Sequence, residues 1–148
     1  RLAEEWLKKA ALQHDLDAQK SLADLFLKAD KVKAKVRQAI YWLTLAAKEG
    51  DVDAQYRLYQ VFKNNKLAPQ DKSMANAWLK TAAENGKAAA QYELAMSLLA
   101  KAQASPYVDK GTLVKDKNFK DAHAKAKTWL SLSARQGHRL AKLKLAEL

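Results

Sequence analysis

WLTLAAKEGDVDAQYRL, residues Trp42 to Leu58, is the segment around which the chain repeats itself. Trp6, Trp42 and Trp78 stand 36 residues apart, and Trp129 follows 51 later, one further period plus 15 residues. Each Trp precedes a Leu (Leu7, Leu43, Leu79, Leu130), and small residues follow at the fourth and fifth places: Ala10 and Ala11, Ala46 and Ala47, Ala82 and Ala83, Ser133 and Ala134. A large and a small side chain four residues apart share one helical face, so a neighbouring helix can approach closely there. The eighth place holds His14, Gly50, Gly86 and Gly137. Glycine adopts the left-handed conformation that closes a helix without a Cβ penalty, so a helix stop is expected at each, looser at His14. Ala18, Ala54, Ala90 and Ala141 come four residues on, and Leu22, Leu58, Leu94 and Leu145 four later still. That spacing gives a second amphipathic helix folded antiparallel on the first, and the unit is a helical hairpin.

The pattern W-L-x-x-A-A-x-x-G-x-x-x-A-Q-Y-x-L, cleanest at Trp42 to Leu58 and Trp78 to Leu94, closely resembles the Sel-one-like repeat (SLR), a relative of the tetratricopeptide repeat. The resemblance covers nearly the whole chain and implies an all-α, right-handed α-solenoid of stacked antiparallel helix pairs. Family members carry a Gly-x-Gly loop and an Asp before the Trp helix. Here Asp71 fits, but Lys63 to Gln70 has no glycine and the first such loop reads KADKVKAK.

Taken in order, the spacing predicts helices at about residues 1–13, with Trp6 and Ala10 inward, then 16–29, 34–49, 52–64, 70–85, 88–102, 119–136 and 139–148. The repeat units are then about 1–15 (partial), 16–50, 52–86, 88–137 and 138–148 (partial), forming one SLR solenoid domain over 1–148. Since the chain starts and ends inside a repeat, it reads as a piece of a longer array. Pro69 suits a helix start and Asp71 suits its N-cap. The 15 extra residues fall in QASPYVDKGTLVKDKNFKD, Gln103 to Asp121, whose Ser, Pro and Gly predict an extended loop of about 103–118 on one face of the solenoid.

With 49 % hydrophobic residues, 4 Gly and 2 Pro in 148, the composition is that of a compact helical chain. No apolar run approaches the roughly 18 residues a membrane span needs. Cysteine is absent, so no disulfide braces the hairpins, a composition compatible with both the cytoplasm and an envelope compartment. The net charge of +11 is uneven: residues 101–148 carry 11 Lys and Arg against 4 Asp and Glu, whereas residues 1–100 carry 16 against 12. Such a balance either keeps helix exteriors solvated or attracts acidic partners.

Catalytic and metal-binding patterns are missing. His14, His123 and His138 form no i, i+4 pair and have no Cys beside them, and there is neither a glycine-rich phosphate loop nor a Gly-x-Ser-x-Gly elbow. No nucleophile has a paired base. The expectation is a protein without enzyme activity, metal or cofactor.

What remains is a surface. The tetratricopeptide resemblance implies a concave face built by the first helix of each hairpin, with contacts at positions flanking the core Leu. By register these are Lys20, Asp24 and Lys28, then Tyr56, Gln60 and Lys63, then Tyr92, Met96 and Leu99. Tyr56 and Tyr92 at one register position form an aromatic row suited to an extended peptide or helix, or else pack on the adjacent helix. The leading expectation is a bacterial interaction scaffold or adaptor binding a protein partner, in keeping with the envelope roles the family resemblance implies; the cytoplasm is the alternative location. The alternative function is binding of an anionic polymer by the basic last third, with Lys115, Lys117 and Lys120 as contacts. Nucleic acid is the least favoured polymer, since only Tyr107 and Phe119 supply aromatics nearby.

Overall fold

The computed structural model describes residues 2–28, 33–66, 68, 71–104, 107–109, 112–114 and 117–148, and of 103, 104, 107–109, 112–114 and 117–119 it describes the backbone alone. Among these, eight helices follow in order: α1 (Leu2–Leu12), α2 (Leu16–Lys28), α3 (Lys33–Lys48), α4 (Val52–Asn64), α5 (Lys72–Glu84), α6 (Ala88–Ala104), α7 (Lys117–Arg135) and α8 (Arg139–Glu147). The fold is the all-α stack of antiparallel helix pairs that the repeat implies. No described helix is long and apolar enough to cross a membrane.

The helix stops explain why the pairs look alike. Gly50, Gly86 and Gly137 have φ of 96°, 97° and 87°, in the left-handed region. Gly50 N–H donates to Ala47 O (3.1 Å) and Asp51 N–H to Ala46 O (3.2 Å), the two crossing bonds of a Schellman motif, so the last carbonyls of α3 find donors. His14 takes the same conformation, φ 64°, and makes the same two bonds: His14 N–H to Ala11 O (3.1 Å) and Asp15 N–H to Ala10 O (3.2 Å). The expected loosening at His14 is therefore absent; the hydrogen bonds hold a residue that lacks glycine's freedom, and His is among the types that tolerate this region. The residue after each stop starts the next helix. Asp15 Oδ1 accepts from Ala18 N–H (3.0 Å), Asp51 Oδ1 from Ala54 N–H (3.0 Å) and His138 Nδ1 from Ala141 N–H (3.2 Å). Asp71 caps α5 as expected, its Oδ1 accepting from Met74 N–H at 3.1 Å.

A buried glutamine then ties each of the first three pairs together. Gln19 Nε2 donates to Ala11 O, Gln55 Nε2 to Ala47 O and Gln91 Nε2 to Ala83 O, each at 3.1 Å and each across eight residues.

The chain divides into two compact units, residues 1–82 and 83–148. In the first, α1 packs on α2, α2 on α3 and α3 on α4 around Leu22, Phe26, Val36, Leu43 and Leu58. Burying each of these is worth about 1.5–3 kcal/mol. In the second, α6 packs on α7 and α7 on α8 around Ala95, Leu99, Ala126, Leu130 and Ala141. Ser133, in the place of the earlier alanines, is buried and its hydroxyl donates to Ala88 O at 2.7 Å.

Two further expectations need correction. Trp6 does not point inward: it is 63 % exposed with the Lys9 ammonium 5.1 Å from its ring centre, whereas Trp42 is 8 % exposed. The cause is neighbourhood, since α3 lies between α2 and α4 while α1 packs on α2. The insertion, expected as an extended loop, holds strands β1 (Tyr107–Asp109) and β2 (Thr112–Val114), paired antiparallel with Val108 opposite Leu113. Two β-prone runs with Lys110-Gly111 between them carry a hairpin signal that the Pro and Ser had masked. Pro69 lies outside the described residues.

Two substitutions test the hairpin chemistry. Gln136 Nε2 donates to Gly86 O (2.8 Å) and to Gln91 Oε1 (3.0 Å), so both ends of the Gln91 amide are used. The residue at the Gln136 position relative to Gln19 is Glu49, whose carboxylate has nothing to donate, and Gln19 Oε1 is buried without a hydrogen-bond partner. Glu49→Gln is expected to supply the donor and add about 1 kcal/mol of stability; thermal melts showing Tm unchanged or lower would refute this. His14→Gly is expected to raise stability by about 0.5–1 kcal/mol by removing the left-handed strain, seen as a higher urea midpoint at unchanged slope.

Candidate docking groove between two helices

Within the first unit, α2 and α4 present a shared polar face. The residue following the α3 stop, Asp51, uses both carboxylate oxygens: Oδ1 caps α4, and Oδ2 lies 3.0 Å from the Lys20 ammonium on α2. Asp17 and Asp53 flank the same ammonium at 3.8 and 3.9 Å. One helical turn further along α2, Asp24 Oδ1 accepts from Arg57 Nη1 of α4 at 2.6 Å. Two ion pairs thus fasten the helices along one edge. The Asp51 carboxylate, hydrogen-bonded to Lys20, raises the ammonium above its usual pKa, and burial opposes this less strongly.

Beyond the Asp24–Arg57 pair lies an open groove of about 520 Å³, lined by Asp24, Leu27, Arg57, Gln60, Val61, Asn64 and Asn65. Leu27 and Val61 give it an apolar floor. Gln60 and Asn64 offer carboxamides, each able to donate and accept, the complement of an extended peptide backbone. No group of three or more His, Cys, Asp or Glu among the described residues is placed to hold a metal, and the groove has no nucleophile beside a base.

The residues expected on the concave face separate into several positions. Asp24 and Gln60 line the groove, and Lys20 sits one turn away in its ion-pair cluster. Tyr56 is half-buried with its ring centre 5.9 Å from that of Tyr59. Lys63 lies over the Tyr59 ring at 5.4 Å, and Lys28 is exposed at the end of α2. In the second unit, Tyr92 packs its ring 5.0 Å from His138, the cap of α8, and Met96 is partly buried against the core. Leu99 belongs to that core itself, where an apolar side chain between α6 and α7 is most stable. Of the basic contacts, Lys115 and the side chain of Lys117 lie outside the described residues, and Lys120 is exposed on α7. The groove residues missed by the sequence reading are Leu27, Arg57, Val61, Asn64 and Asn65. One signal was available: Lys20 with Asp53 and Asp24 with Arg57 are opposite charges 33 residues apart, three short of the repeat period.

A sequence profile of the Sel1 repeat matches residues 1–15, 16–51, 60–87 and 119–138. The matched segments end at Asp15, Asp51, Lys87 and His138, each the residue after a left-handed stop, and the insertion falls in the gap before the last. Among solved structures, the crystal structure of a Sel1 repeat protein from Oxalobacter formigenes is 28 % identical, with a TM-score of 0.71 over 96 % of both chains. A second is c5321, a protective antigen present in uropathogenic Escherichia coli strains and displaying an SLR fold, 26 % identical with a TM-score of 0.66. The alignment covers 96 % of this chain and 27 % of that antigen. A search of curated proteins returns no match.

The Lys20 ion pair gives a pH test with a defined sign. Its folded pKa lies above the ordinary 10.5, so the stability it adds is complete below 10.5 and lost as pH rises through the folded value. Lys20→Met is expected to cost about 1 kcal/mol near neutral pH. Melts of the two proteins should keep that gap to about pH 10 and converge above it; a gap persisting at the alkaline limit would show that Lys20 acts through packing alone.

Proposed function

The chain belongs to the Sel1 repeat family, and from that membership we propose that it is a non-catalytic docking module that holds a segment of a partner protein in the groove between α2 and α4. Sel1 repeat proteins are in general protein-interaction scaffolds. The observation that carries the reading is the groove itself: an apolar floor with amide side chains along one wall and a mutually satisfied Asp24–Arg57 pair at its end. Such a lining favours an uncharged extended segment, because the ion pair at its end is already neutralised and the amides match backbone donors and acceptors. Leu27 and Val61 offer a seat for one apolar side chain, the kind of anchor that carries most of the energy in a small interface. We place the protein in a bacterial envelope or periplasm, a reading supported by the protective antigen among its structural relatives.

A photo-crosslinking amino acid at Asn64, on the groove wall, and another at Lys48, exposed on α3, test this in the native cell. The expected outcome is a protein adduct specific to position 64 that disappears when Leu27→Arg fills the floor. Equal adducts at both positions, or an adduct that survives Leu27→Arg in a folded variant, would remove the groove from consideration.

A further inference from the structure

The outward face of α7 in the second unit carries a different chemistry. Lys120, Lys125, Lys127 and Arg135 are all exposed and share that surface with one carboxylate, Asp121. Lys120 and Lys127 are seven residues apart and fall almost one above the other on a helix, about 10 Å along its axis, with Arg135 about 12 Å further. In the first unit Lys8, Lys20, Lys35 and Arg57 each have a carboxylate within 4 Å, the longest of these contacts being 3.9 Å. None of the four α7 cations makes an ion pair among the described residues. A face that only has to stay solvated mixes both signs; this one concentrates one sign over roughly 22 Å of helix.

Between the cations the face is low. Ala124, Thr128 and Ser131 lie along its middle, and the Thr128 hydroxyl already donates to Ala124 O at 3.1 Å, so covering it strands no donor. Small side chains between charged flanks let another helix come close while its own charges reach sideways.

We propose that the outer face of α7 docks an acidic helix of a partner protein, with carboxylates at roughly heptad spacing meeting Lys120, Lys127 and Arg135. The spacing suits such a helix, whose side chains at i and i+7 recur at about 10 Å. Single-stranded nucleic acid is favoured by aromatic rings lining a cationic groove, and this face has no aromatic among its exposed residues. The surface is separate from the α2–α4 groove, and neither reading depends on the other.

The test uses the full chain and a fluorescent helical peptide of about 22 residues with glutamates at i and i+7 along one face, read by anisotropy. Parallel arms use a single-stranded oligonucleotide and vesicles of phosphatidylcholine with phosphatidylglycerol. The expected result is peptide binding that weakens with added salt, because exposed charges are screened. Affinity should fall about tenfold in Lys120→Glu/Lys127→Glu/Arg135→Glu and hold in the control Arg37→Glu/Lys48→Glu/Lys72→Glu, which changes net charge equally. Glutamine at the same three α7 positions should lose affinity to a lesser degree, and circular dichroism confirms that each variant is folded. The proposal is overturned by no peptide binding, by equal losses in the control, or by tighter binding of the oligonucleotide or the anionic vesicles than of the peptide. Leu27→Arg, which blocks the groove, should leave this binding unchanged.

Discussion

The constraint on which the rest depends is that a three-residue turn between buried helices must leave no backbone group unmatched. The last carbonyls of a helix have no partner inside it, and here the turn's own N–H groups meet only part of that need. The buried glutamine answers this: Ala47 O accepts from Gly50 N–H and from Gln55 Nε2, which uses both of its lone pairs. Gln19 with Ala11 O and Gln91 with Ala83 O reach the same length, so the three hairpins close at one geometry. A buried carbonyl that lost both donors would cost about 1–3 kcal/mol, more than most surface contacts in this chain can return. Only with the closure fixed do the alanines after each Trp meet a neighbouring helix in register.

Register in turn decides what the surface offers. Because α2 and α4 start from equivalent stops, charges three residues short of one repeat period come opposite each other, and Lys20–Asp53 and Asp24–Arg57 follow, with Asp51 closing on the same ammonium. The same side chains that brace the helices therefore shape the groove, so part of the lining is already committed before a partner arrives. The last hairpin is held differently. Lys142 stands where the glutamine would be, and the tie runs instead from Ser133 of α7 and from Gln136 in the turn after it back to Ala88, Gly86 and Gln91.

Most of the helical architecture was legible in the sequence. The Trp spacing, the Gly stops and the Ala–Leu spacing place every helix end within about two residues, because each follows from chemistry local to a turn. The Sel1 repeat likeness rested on those same positions. Less was legible where an outcome depends on neighbours. Trp6 matches Trp42 letter for letter, yet its exposure is set by which helices flank it. The role of Gln19, Gln55 and Gln91 was hidden because a Gln in a motif does not reveal the carbonyl it will meet eight residues back. Tyr92 and Leu99 were placed by register on a binding face, but His138 and the core claim them. Arg57 was overlooked because it became notable only once paired with Asp24 across two helices.

Of the two kinds of connection in the chain, one never varies and the other varies freely. Gln13 to Asp15, Glu49 to Asp51, Asn85 to Lys87 and Gln136 to His138 span the same three residues at every turn, since each carries a stop and a start that one added residue would separate. The opposite connections run from Lys28 to Lys33, from Asn64 to Lys72 and from Ala104 to Lys117, lengthening each time. Length can be added to the second kind of connection without parting a stop from its start, and the β1–β2 ribbon sits in one of them.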